Sequence, residues 1–258
     1  MILPWYARLG LRTVVALALV ILYGPLLLTA FFSFFDLRRG EVVWDSFGLH
    51  WYAALWSKRG IIEALGNTLL VGAAAVALST LLGLAIAFWY HLHPGRARAA
   101  LQAIVFLPFV LPPIVTGLSL LIFFREAGVP RSLITVAIGH TVFVLALVYQ
   151  ILLARLQALS PSLIEASYDL GGSALQTFRQ VLLPHLASAI ATAAVLAFAL
   201  SFDETLITLL VTGTENTLPL RFWGMMRTGF TPDINALVTL ILVGSVAVCA
   251  ALARLIRV

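Results

Sequence analysis

Apolar residues run through this chain in six long blocks, and polar or charged residues gather at the seams between them. The blocks lie at 13–35, 65–90, 99–124, 132–155, 186–211 and 234–256. A helix needs roughly 20 residues to cross a hydrocarbon core of about 30 Å, so each block predicts one membrane-spanning helix. Neither an internal repeat nor a linker long enough to divide the chain is visible, and residues 1–258 read as one membrane domain. The basic start "MILPWYARLGLR" resembles the opening of a signal peptide. The apolar run behind it is too long for one and no small-residue cleavage site follows, so it is taken as the first helix.

Two blocks carry packing marks. "STLLGLAIA" sets Ser79, Gly83 and Ala87 four residues apart, a row of small side chains that lets a second helix approach closely. "LPFVLPPIVTGLSLL" holds Pro108, Pro112, Pro113 and Gly117, which predicts a kink within one span. That kink reads equally as a flexing helix along a pathway or as a static bend.

The seam 156–185 differs from the others. Its stretch "EASYDLGGSALQTFRQVLLP" alternates polar and apolar residues at helical spacing. Ser160 and Pro161 read as N-cap and first residue of a short helix carrying Glu165 and Asp169 on one face. Gly171 falls where a left-handed residue would end that helix, and Ser173 with Gln176 forms a capping box that starts the next. Pro184 should end or kink the second helix before the fifth span. A helix–turn–helix with its own stop and start signals is a rigid knob outside the bilayer.

Composition fixes the solvent and removes several functions. The chain is 62% hydrophobic and 10% charged, against about 25% charged for an average soluble domain, with a mean hydropathy of +1.05. A water-soluble fold would expose too much of this surface, so the partner is a lipid bilayer. The net charge of +5 comes from basic residues scattered between apolar runs rather than clustered, which argues against nucleic acid. Cys249 is the only cysteine, leaving no intrachain disulfide and no metal cluster. The single lysine, Lys58 in "WSKRG", lacks the glycine-rich approach and following Ser or Thr of a nucleotide phosphate loop. With no nucleophile elbow and no H-E-x-x-H site either, catalysis and bound cofactors are not expected, and energy must come from a partner or an ion gradient.

Glu165-Ala166-Ser167, Gly171 six residues after the glutamate, and Val181-x-Leu183-Pro184 together resemble the EAA loop of ABC-importer permease subunits. Ser167 stands where that family often has Ala, and Val181 where it often has Ile. "SFDETLITLLVTG", "LPLRFWGMMRTGFTPDINALVTLIL", "VLPPIVTGLSLLIFF" and "NTLLVG" are similar to the polyamine-type branch, over most of 60–255 and least in 36–62. The resemblance implies an all-α type I importer fold of six spans with a cytoplasmic coupling helix. It implies as partners a second, homologous permease, a dimer of ATP-binding subunits that use ATP and Mg, and an extracytoplasmic substrate-binding protein. Glu165, Ala166, Ser167, Asp169, Gly171, Val181, Leu183 and Pro184 would then form the ATPase-coupling surface, with both acids facing basic groups of the ATPase.

Basic residues divide evenly between the two sides of the membrane and leave orientation undecided. The coupling loop, implied to be inside, puts both termini in the cytoplasm of a multi-pass bacterial inner-membrane protein. Polyamines (putrescine or spermidine) are the leading cargo, with ferric iron, an aminophosphonate or an opine-like amine open.

Asp203 and Glu204 interrupt the fifth block. An ionised carboxylate within a span costs about 2.5–3.5 kcal/mol, so each needs water or a partner. They either meet the ammonium groups of a crossing cation or pair with Asn67, Thr68 or a basic residue of the second permease to hold a gate. His140, alone in the fourth block, reads as a hydrogen-bonded packing residue. Trp51, Tyr52 and Trp56, and the stretch from Leu218 to Met226, read as aromatics and apolar residues at the membrane edge. The competing class is a secondary transporter in which Asp203, Glu204 and His140 relay protons, but it has no need of a capped ATPase knob.

Overall fold

The computed structural model describes residues 4–38, 41–92, 95, 97–228 and 232–256, and all regular structure among them is helical except one two-stranded hairpin. The chain forms two compact units, Met1–Ile62 with Phe222–Val258, and Glu63–Arg221.

In the first unit, helix α1 (Trp5–Phe32) buries none of its residues, as a helix apolar on every side does when lipid is its solvent. It starts earlier than the expected 13 and ends before 35. A hairpin follows, β1 (Asp36–Arg38) against β2 (Glu41–Val43), with Asp36 opposite Val43. Phe31, Phe35, Trp44 and Phe47 pack ring against ring beside it. Helix α2 (His50–Ser57) is fastened here: His50 Nε2 and Trp51 Nε1 both donate to the Asp36 carboxylate, at 2.8 and 2.9 Å. Tyr52 reaches Ser33 at 2.6 Å. Trp51 and Tyr52 therefore hold the segment together, while Trp56 is exposed. Helices α1 and α2 pack on the last helix of the chain, Pro232–Ile256, and Lys58 pairs with Asp233 in its first turn. The block 234–256 falls on this helix; the side chain of Cys249 lies outside the described residues.

Helix α3 (Arg59–Leu92) leads into the second unit, followed by α4 (Ala97–Val110), α5 (Pro113–Glu126) and α6 (Leu133–Gln157). Helix α6 forms the centre, with Val144, Ala146, Val148, Tyr149 and Leu152 fully buried. The small row on α3 is used as its spacing predicts: a Cβ on Gly83 would lie 3.1 Å from Val148 and 3.3 Å from the Tyr149 amide nitrogen. Ala189, Ala193 and Ala197 form the matching small stripe on the fifth apolar block.

Three expectations need correction. The block 99–124 is not one kinked helix. Helices α4 and α5 meet at 105°, and each has 14 residues, short of the roughly 20 a crossing needs. Pro112 pushes the residue before it out of helical backbone, and the chain restarts with Pro113 as a first helical residue. Thr116 Oγ1 donates to the Pro108 carbonyl at 3.3 Å, satisfying a group the break would strand.

The block 186–211 is also interrupted. Helices α7 (Pro161–Asp169) and α8 (Ala174–Gln176) lie within the seam, α9 (Leu183–Asp203) follows, and the chain leaves helical geometry at Glu204 before α10 (Leu206–Val211). Pro184, expected to end or kink the second seam helix, does not end it and sits in the first turn of α9. The turns over Thr177–Leu182 widen to an i→i+5 pattern ahead of it. A widened turn accommodates a ring that would otherwise collide with a carbonyl four residues back, so the helix runs on from Ala174 to Asp203. Helix α11 (Leu218–Thr228) follows, and Pro232–Ile256 is α12.

Candidate functional site

The seam element is closed by backbone bonds at its turn. Gly171 has φ +80°, its N–H donates to the Tyr168 carbonyl at 2.8 Å, and Gly172 N–H donates to Ser167 at 2.9 Å. This pair of bonds ends a helix on a left-handed glycine. Each glycine is required for a different reason. Nothing lies within 4 Å of a Cβ on Gly171, so its need is conformational, whereas a Cβ on Gly172 would fall 2.7 Å from the Ser167 carbonyl oxygen. Ser173 and Gln176 form the expected capping box, with Ser173 N–H donating to Gln176 Oε1 at 2.8 Å and Gln176 N–H to Ser173 Oγ at 3.3 Å. Ser160 makes no cap bond; its hydroxyl lies 2.6 Å from Ser162 Oγ, and Pro161 alone marks the start of α7.

Side chains then fix the two arms together. Thr177 Oγ1 donates to the Ser173 carbonyl at 3.1 Å, so the Ser167 hydroxyl is the donor in their 2.8 Å contact. Ile164 of α7 and Phe178 pack into a cluster of Leu156, Leu182 and Leu186 with Leu84 and Phe88 of α3. Phe178 meets Phe88 edge-on at 4.8 Å. Arg155 Nε donates to the His185 carbonyl at 3.1 Å, and His185 Nδ1 to that of Val181 at 2.7 Å. The base of the knob is thus packed against α3, α6 and α9. Its tip is bare: Glu165, Ala166 and Asp169 are exposed beside Tyr168, Leu175 and Leu170, the last 90% exposed. Val181 and Leu183 are half-buried and Pro184 exposed on the second arm. An apolar tip flanked by two acids on a braced stem can transmit a push. Thr177, Gly172, Ile164 and Phe178 were missed by the sequence reading, although the Gly-Gly doublet pointed to Gly172.

A second constellation lies at the break after α9. Asp203 is exposed and Glu204 is buried, with Glu204 Oε1 accepting the Ile207 N–H at 2.9 Å in the first turn of α10. Both acids line a groove of about 470 Å³ together with Phe143, Leu147, Leu196, Ala199 and Leu200. Asn67 does not join them. Its amide donates to the Asn216 carbonyl at 3.0 Å, while Thr68 Oγ1 accepts from Leu218 N–H at 2.7 Å, so the expected pairing of the acids with Asn67 or Thr68 is not made. Both residues instead hold the loop leading to α11. His140 is buried, with Nδ1 2.8 Å from Ser201 Oγ and Nε2 2.8 Å from Thr208 Oγ1. Ser201 and Thr208, one on each side of the acids, were also missed. No group of three or more His, Cys, Asp or Glu side chains that could hold a metal occurs among the described residues.

The model of the family described as "binding-protein-dependent transport system inner membrane component" matches residues 79–258, which include the whole seam element and both acids at the break after α9. The chain belongs to this family. Among relatives of this permease is the putrescine transport system permease protein PotI of Escherichia coli (strain K12), 34% identical over 238 residues, 89% of this chain and 84% of that protein. The spermidine/putrescine transport system permease protein PotC of Haemophilus influenzae is 30% identical over 227 residues, 88% of each. Solved structures confirm the fold. A bacterial ABC transporter that imports the acidic polysaccharide alginate matches with a TM-score of 0.73 and 16% identity, over 98% of this chain and 94% of that one. The MetNI methionine ABC transporter matches with 0.67 and 20%, over 80% and 97%. The permease is thus an all-α, multi-pass inner-membrane component of the type I importer fold, it serves transport, and it works with a substrate-binding protein.

Proposed function

We propose that this permease forms half of the translocation pathway of an ATP-driven polyamine importer, with the knob at 156–185 as its coupling element. The observation that carries the reading is the braced knob with a bare tip. A stem packed against α3, α6 and α9 moves those helices with whatever grips the tip. In this reading Glu165, Ala166, Ser167, Asp169, Gly171, Val181, Leu183 and Pro184 seat in an ATP-binding subunit, one of a dimer that uses ATP and Mg. A second, homologous permease completes the pathway, and both termini of this chain are cytoplasmic. The cargo assignment is supported by the polyamine names of relatives at 30–34% identity. It is also supported by chemistry: a groove lined by two acidic residues suits an ammonium group. Glu204 spends one oxygen on the α10 backbone and is assigned to the gate. Asp203, exposed at the groove, is assigned to the cation.

Expressed with its partner subunits in cells devoid of polyamine uptake, the permease should give saturable accumulation of putrescine that collapses when ATP is depleted. Accumulation that follows the proton gradient while ATP is exhausted contradicts the reading and favours a secondary carrier. The pair Asp203→Asn with Glu204→Gln should raise the half-saturating putrescine concentration about tenfold, the loss of one ion pair in a partly dry site. An unaltered value removes direct contact.

A further inference from the structure

We propose that His140 is the positioning residue of the transport pathway: it braces the break between α9 and α10 and so aims the Asp203 carboxylate into the groove. The inference rests on the assignment of Asp203 to the cation. The bonding roles follow from hydroxyl arithmetic. Thr208 Oγ1 gives its one hydrogen to the Glu204 carbonyl at 3.0 Å, so it accepts from His140 Nε2–H. With its hydrogen on Nε2, the ring accepts from Ser201 Oγ through Nδ1. A single imidazole therefore ties the last turn of α9, through Ser201, to the first turn of α10, through Thr208 and the Glu204 carbonyl. Asp203 and Glu204 lie inside that bracket.

The bracket is rigid because α10 is wedged. A Cβ on Gly139, beside His140, would come 2.7 Å from Ile207 Cγ2, and one on Gly117 of α5 would come 3.1 Å from the Ile207 Cα. Thr135 Oγ1 donates to the Val211 carbonyl at 2.7 Å and fixes the far end of α10 to α6. Between these points α10 has no slack, so the direction of the interrupted backbone at 203–205 is set by what His140 holds. A packing residue would need only volume here; the two opposite hydrogen-bonding roles on one ring are what join the halves.

The test is a double-mutant cycle on putrescine uptake by the reconstituted importer. His140→Leu should raise the half-saturating concentration about tenfold, and His140→Gln, which keeps a donor and an acceptor on one planar group, should recover most of it. In an Asp203→Asn background, His140→Leu should add less than about twofold, because the group it aims is gone. Effects that multiply in the double variant, or a normal value in His140→Leu alone, overturn the proposal. If His140→Leu does not assemble, Ser201→Ala with Thr208→Val cuts the same bracket from the other side. Failure of both to assemble makes the network a folding element and overturns positioning. Unchanged uptake in Asp203→Asn alone contradicts the assignment of Asp203, and the inference falls with it.

Discussion

At the scale of single residues, the knob depends on two adjacent glycines that fail in different ways. Gly171→Val forces a β-branched side chain into the left-handed region, at about 1–2 kcal/mol. Gly172→Ala leaves the backbone conformation allowed but drives a methyl against the Ser167 carbonyl. Both variants should hydrolyse ATP while accumulating little putrescine, measured as molecules imported per ATP in proteoliposomes. Normal uptake by Gly171→Val in a fully assembled complex contradicts the rigid knob. Ser167→Ala should be milder. It removes one donor from a Thr177 hydroxyl that keeps its bond to Ser173, a loss of about 0.5–1.5 kcal/mol that thermal melting of the purified complex should register. The order of severity, glycines above serine, is itself the expectation.

At the scale of elements, the Gly171 turn and the Ser173–Gln176 capping box of the knob were legible, as was the apolar, helical character of the chain, because capping boxes, left-handed glycines and hydropathy are local signals. The breaks were not. Pro112-Pro113 marked a disturbance in the third block, but a kink and a 105° turn leave the same residues in the sequence. What separates them is the neighbour that absorbs the freed backbone groups, here Thr116, four residues past the break. Pro184 shows the converse: a strong stop signal overridden by a widened turn that tertiary packing of Phe178 and Leu182 supports. The break at Glu204 has no glycine or proline to announce it. It is bought with side-chain bonds from Glu204, Thr208 and Ser201, which only the fold brings together. Glu204→Gln keeps an acceptor for the Ile207 N–H and should preserve α10, whereas Glu204→Leu strands that buried donor at about 1–3 kcal/mol. Melting temperatures of the two purified variants compare them directly, and equal values refute the capping role.

At the scale of the whole molecule, the role proposed for this permease is to transmit the motion of an ATP-binding subunit to the pathway. That requires the knob to lie on the cytoplasmic side. In a Cys249→Ser background, Ser162→Cys should react with a membrane-impermeant maleimide only in inside-out vesicles. Labelling in intact cells places the knob outside and breaks the account. Coupling and cargo are both read out by the ATPase activity of the complex that co-purifies with this chain in lipid, with its binding protein and a panel of ligands. The account predicts that an ATPase co-purifies and that putrescine or spermidine stimulates it. Stimulation by iron, an aminophosphonate or an opine alone would keep the coupling and discard the cargo, and the absence of any co-purifying ATPase would contradict the coupling itself.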